Sequence, residues 1–186
     1  GVMSGTGGVE LSGGSETFSG ASTNTYTGGT TISGGTLTLG ASSRLANAGA
    51  VTVSGGTLAI GAYSDTVAGV TLSSGAITGT TGVLTGSSYS ITNTSGATTI
   101  SAKLAGSGVA LTKSGAGTLT LSGANTYTGT TTVSAGTLSL GANNVIADTG
   151  AVTVSGGTFD IGGYSDTVGA VTLSSGAIAG TTGVLT

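Results

Sequence analysis

Short apolar–polar–apolar triplets punctuate this chain at near-constant intervals. They begin at residues 9 (VEL), 30 (TTI), 51 (VTV), 70 (VTL), 89 (YSI), 109 (VAL), 131 (TTV), 152 (VTV) and 171 (VTL). Alternation with period two is strand behaviour, because successive side chains on a strand point to opposite faces. Ser-Gly-Gly or Ser-Ala-Gly follows several triplets, as at residues 33–35, 54–56 and 134–136. Glycine there permits the positive φ of a tight bend. A second alternating stretch comes next: TLTL at 36–39, TLAI at 57–60, TLTL at 118–121, TLSL at 137–140 and TFDI at 158–161. A further glycine and a less regular third side complete each unit. Thr and the β-branched apolar residues favour strands, and no window carries a capped helical stripe.

A longer period lies over the short one. Residues 22–85 align with 123–186 at a constant offset of 101, with 46 of 64 positions identical. Tandem sandwich domains of about 100 residues would give such an offset, but they have no reason to contain five equivalent units of ~20 residues. Units of that size with glycine corners predict a β-solenoid: one continuous all-β segment over 1–186, with about 20 residues per turn, about nine turns and ~4.8 Å between turns. The triplets then stack an inward column of Ile32, Val53, Leu72, Ile91, Leu111, Val133, Val154 and Leu173. The outward column is Thr31, Thr52, Thr71, Ser90, Ala110, Thr132, Thr153 and Thr172. Each turn must offer the next the same backbone and side chains, so the sequence repeats.

Composition narrows the function. Of 186 residues 39 are Gly, and there is no Pro, Cys, His or Trp. At 37% apolar residues and 5% charged, the chain is too apolar and too weakly charged for a disordered linker. Three scattered cations, Arg44, Lys103 and Lys113, in a chain of net charge −3 argue against nucleic acid and against docking on anionic lipid. Apolar runs fall far short of the ~20 residues of a membrane helix. The three-to-five-residue alternating stretches are too short for a membrane barrel, whose strands need ~9–11. No signal-peptide pattern opens the chain, so it reads as a mature protein or an excerpt.

Candidate chemistry is sparse. Without His or Cys there is no His-based triad, thiol nucleophile or ordinary zinc site. Asp65, Asp160 and Asp166 are the carboxylates to weigh for glycoside hydrolysis. Asp65 and Asp166 lie one long repeat apart, roughly 24 Å at the solenoid spacing, so they cannot act as a pair. Turns and solvated faces are where aspartates of this kind are expected. Glycine pairs without an Asp in each turn do not make a calcium-binding roll, and no glycine run has the Lys and helix of a phosphate loop. No catalytic set, metal or cofactor is expected. Tyr26 and its equivalent Tyr127, and Tyr63 and its equivalent Tyr164, fit rim positions covering the ends of the core better than a sugar-stacking platform. Asn24 and Asn125 fit hydrogen-bonded bends. Thr31, Thr52, Thr71, Thr132, Thr153 and Thr172 form the one regular outward face, an alternative site for ice or for a host or cell-surface glycan.

Residues 115–141, GAGTLTLSGANTYTGTTTVSAGTLSLG, resemble the autotransporter-associated β-strand repeat, and residues 24–40 match it again. The segment around residues 60–67 is similar to the spacer turns of such passengers. The resemblance implies a right-handed parallel β-helix in the passenger region of a Gram-negative type V secreted protein. It also implies export with the outer-membrane translocation machinery and a place at the cell surface or outside the cell. The signal peptide and translocator barrel of a complete autotransporter are missing from this sequence. The expected role is a structural stalk or spacer without enzymatic activity. Unprotected strand edges at the ends of such a segment add end-to-end self-association into a fibre.

Overall fold

The computed structural model describes residues 1–186, and every regular element in it is a β-strand. All strand pairs are parallel, which requires each connection to carry the chain round to the start of the next strand. The chain winds as a parallel β-solenoid with nine rungs on its first side and therefore eight complete circuits of 19 to 22 residues. Eight steps of ~4.8 Å give a body roughly 38 Å long.

Three sides enclose the core. In turns 1 to 4 the first two sides belong to single bent strands, Val9–Phe18, Thr30–Leu39, Val51–Gly61 and Gly69–Gly79. Turns 5 to 7 break each into two short strands: Ser88–Ile91 with Ala97–Ile100, Leu111–Lys113 with Thr118–Leu121, and Thr131–Val133 with Thr137–Leu140. Turns 8 and 9 return to long strands, Val152–Asp160 and Val171–Ala179. The bend between the two sides explains the Ser-Gly pattern. Gly75 and its equivalent Gly176 have φ of 87° and 88°, and a Cβ on either would strike the carbonyl of Gly56 or Gly157 in the turn beneath. Both a left-handed backbone and close contact demand glycine there.

Inside runs one apolar cluster of 33 buried residues, from Leu11 to Val168. The first side supplies two inward files. One holds Leu11, Ile32, Val53, Leu72, Ile91, Lys113, Val133, Val154 and Leu173. This corrects the expected column at turn 6, where Lys113 stands in place of Leu111. Leu111 is buried in the neighbouring file, paired with Tyr89 and Thr131. The expected outward column changes likewise: Thr112, not Ala110, lies between Ser90 and Thr132. The reason is the preceding bend, where Gly106 and Gly108 both take positive φ and absorb Val109, so the strand starts two residues later. Leu173 lies on the ninth rung and is 51% exposed.

Candidate functional site

On the third side the strands are short and discontinuous: Ser4–Gly5, Thr25–Tyr26, Asp65–Thr66, Val83–Thr85, Lys103–Gly106 and Thr126–Tyr127, with a bridge from Asp166 to Leu185. Turns 2 and 7 have no strand there, because the chain bends at Ser43 and Asn144, non-glycine residues in the left-handed region with φ of 57° and 53°. A backbone that leaves the ladder while remaining buried must find other hydrogen-bond partners.

Polar side chains from the turns on either side provide them. From turn 1, Asn24 accepts from the Met3 amide (2.9 Å) and donates Nδ2 to the Arg44 carbonyl (2.6 Å). From turn 3, Asp65 Oδ2 accepts from the amides of Arg44 (2.7 Å) and Leu45 (2.8 Å). Five turns on the arrangement recurs. Asn125 accepts from the Leu104 amide (2.8 Å) and donates to the Val145 carbonyl (2.9 Å). Asp166 Oδ2 accepts from the amides of Val145 (2.8 Å) and Ile146 (3.0 Å). The irregular turn is thus held from both sides by a carboxamide and a carboxylate reaching inward. Asp65 and Asp166 are 3% and 2% exposed, which overturns the expectation of solvated turn positions. Once ladder amides need acceptors, a carboxylate is better used inside than at a solvated bend.

Electrostatics distinguishes the two copies. Burial pushes the Asp65 carboxyl up; the amides of Leu45, Arg44 and Thr66 and the Arg44 charge pull against it. Burial also raises the Asp166 carboxyl, and nearby Asp148 adds to the rise. Arg44 has no cationic equivalent in the second copy, where Val145 occupies the position. Its guanidinium donates to the carbonyls of Gly20, Ser22 (2.7 Å) and Ser42 (2.8 Å). Asp166 Oδ1 is buried without a hydrogen-bond partner, whereas Asp65 Oδ1 accepts from the Thr66 amide (2.9 Å).

The tyrosines divide in two. Tyr26 and Tyr127 are buried in the core, each bonded through its hydroxyl to a threonine four residues on, Thr30 (2.5 Å) and Thr131 (2.8 Å). They are neither rim residues nor a surface platform: the Asn-Thr-Tyr alternation turns both Asn and Tyr inward. Tyr63 and Tyr164 are 40% and 39% exposed, five turns apart. Thr31, Thr52, Thr71, Thr132 and Thr153 are half-buried on the outward file of the first side, and Thr172 is exposed on the ninth rung. Asp160 is half-buried on the second side and accepts from the Gly162 amide (2.9 Å).

Lys113 is the side chain that sequence reasoning missed. It is fully buried, and its amine donates to the carbonyls of Gly115 and, at 3.4 Å, Ala135. Burial holds the amine below the ordinary lysine range. No cluster of three or more His, Cys, Asp or Glu side chains forms. The carboxylates that could have served chemistry are engaged with backbone amides, and this arrangement stabilises turns.

The passenger-associated-transport repeat matches the chain at residues 17–39, 35–60 and 111–140. The first and third matches include Asn24 with Tyr26 and Asn125 with Tyr127. Comparison with curated proteins and with solved structures gave no match. Repeats of this kind wound into a parallel solenoid fit an autotransporter passenger.

Proposed function

We propose that this chain, a parallel solenoid carrying passenger-associated-transport repeats, is part of an autotransporter passenger and serves as a stiff, weakly charged stalk at the surface of a Gram-negative cell, reached with the outer-membrane translocation machinery and acting without catalysis. One observation carries the reading: the Asn24, Asn125, Asp65 and Asp166 side chains reach inward to neighbouring turns, leaving Thr, Ser, Gly and Ala on most of the outside. Side chains committed to rung-to-rung hydrogen bonds stiffen a rod and are not free to bind substrate. Deleting one 101-residue period from the exported protein would test this. Five turns should disappear, bringing a distal epitope roughly 24 Å closer to the membrane, with export and display retained. Loss of a binding or enzymatic activity at unchanged display would refute the stalk.

A second reading, adhesion through the first side, is favoured by the outward file itself. With Thr112 in place, hydroxyl side chains occupy every rung from Thr31 to Thr172. Glycan-array binding or ice-crystal shaping lost in Thr112→Tyr would support it.

A further inference from the structure

On the second side the two copies of the long repeat do not stack in one continuous register, whereas the first side keeps them in one file. Below turn 5, Leu37, Leu58 and Ile77 form an inward file on the second side. Their equivalents one period later are Leu138, Phe159 and Ile178. Traced upward through the ladder, however, Ile77 leads to Ile100, Leu121 and Leu140. Traced downward, Leu138 leads through Leu119 to Thr98. The two copies are therefore offset by two residues along the second side, roughly 7 Å. The dislocation falls in residues 86–122, the stretch between the two copies. Its local cause is a longer corner: nine positions separate Ile91 from Ile100, against five from Leu72 to Ile77.

On the second side this junction is also the thinnest, although the first side keeps four residue pairs across it. Across it the second side keeps two residue pairs, Thr99 with Ala76 and Ile100 with Ile77, where the next junctions up keep four. Beside it lie two anomalies of the core. Asn93 is fully buried with Oδ1 lacking a partner, its Nδ2 donating to the Thr118 carbonyl (3.0 Å). On the following rung Lys113 places an amine in an aliphatic file between Ile91 and Val133. Solenoid stability is a sum of repeat and nearest-neighbour interface contributions, so one poor interface uncouples what lies on either side.

We infer that the seam at turns 4 to 6 divides the solenoid into two cooperative segments and is where the wound chain first opens internally. The inference is independent of the stalk and adhesion readings. It supplies a segmented folding unit, in which each copy completes its own rungs before the junction closes. The test is hydrogen exchange of the full chain at rising urea concentrations, read by mass spectrometry on peptides. Amides between Ile91 and Leu121 should exchange through a local opening about tenfold or more faster than those of Ile32–Leu72 and Val133–Phe159. The two flanking segments should then lose protection at separate urea concentrations. Limited thermolysin digestion should make its first internal cut between Ile91 and Leu121. Uniform protection from Ile32 to Phe159, or one shared transition for both segments, would overturn the inference.

Discussion

Asn125→Ala isolates the contribution of the inward carboxamide. The Leu104 amide hydrogen-bonds to the Asn125 side chain at 2.8 Å. After truncation this buried donor has no acceptor, at a cost of about 1–3 kcal/mol. The Val145 carbonyl also loses Nδ2, but it still accepts from the Asn125 amide at 3.0 Å. That second loss is an ordinary net hydrogen bond of about 0.5–1.5 kcal/mol. Together the change should cost about 2–4 kcal/mol and lower the urea midpoint by about 1–2 M for a typical m-value. Thr126→Ala, on the exposed neighbour, should stay within about 0.5 kcal/mol of wild type. Asn125→Asp adds a signature that mere loss of packing cannot produce. It keeps an acceptor for Leu104 but sets an anionic oxygen against the Val145 carbonyl, so it should be destabilised at neutral pH and recover as acid protonates the new carboxyl. Equal urea midpoints for Asn125→Ala and Thr126→Ala, or a pH-independent Asn125→Asp, would refute the reasoning.

Three further outcomes follow from the same geometry. Val154→Asp places a charge at a fully buried position and should cost several kcal/mol, exposing nearby turns to protease, whereas the outward Thr153→Asp should stay within about 1 kcal/mol; equal protease sensitivity would refute the register. Because burial raises the Asp166 carboxyl above 3.8, the folded protein takes up a proton before the unfolded chain does. That contribution to stability grows as pH falls through the raised folded value towards 3.8 and is lost as pH climbs back; thermal unfolding across pH should show a shallower slope for Asp166→Asn. Ser43 carries a left-handed backbone that Asn144 adopts in the second copy, so Ser43→Gly or Ser43→Asn should raise stability by up to about 1 kcal/mol in urea denaturation.

Most of the architecture was legible in the residues because a parallel solenoid pairs like with like. Alternation predicts the strands, Ser-Gly pairs predict the corners, and the spacing of the triplets places eight of nine first-side rungs in their observed register. The exception is instructive. At residues 109–113 both VAL and LTK alternate, and apolar preference selects the first; Lys113 is so unlikely a core residue that pattern alone rejects the register the molecule adopts. The inward roles of Asn24, Asn125, Asp65 and Asp166 were hidden for a different reason. Each spans about 20 positions to a backbone partner on another turn, and backbone partners leave no mark in the identity of the residues they hold.

The sequence by itself determined the period, the strand class and the turn-on-turn stacking, because those depend on local alternation and on repetition, both written along the chain. Only the tertiary structure decided which polar side chains turn inward, where the two copies fall out of step, and that one lysine enters the core. Those outcomes depend on backbone groups left without ladder partners once neighbouring turns are superposed, and that need arises only after the chain has closed on itself.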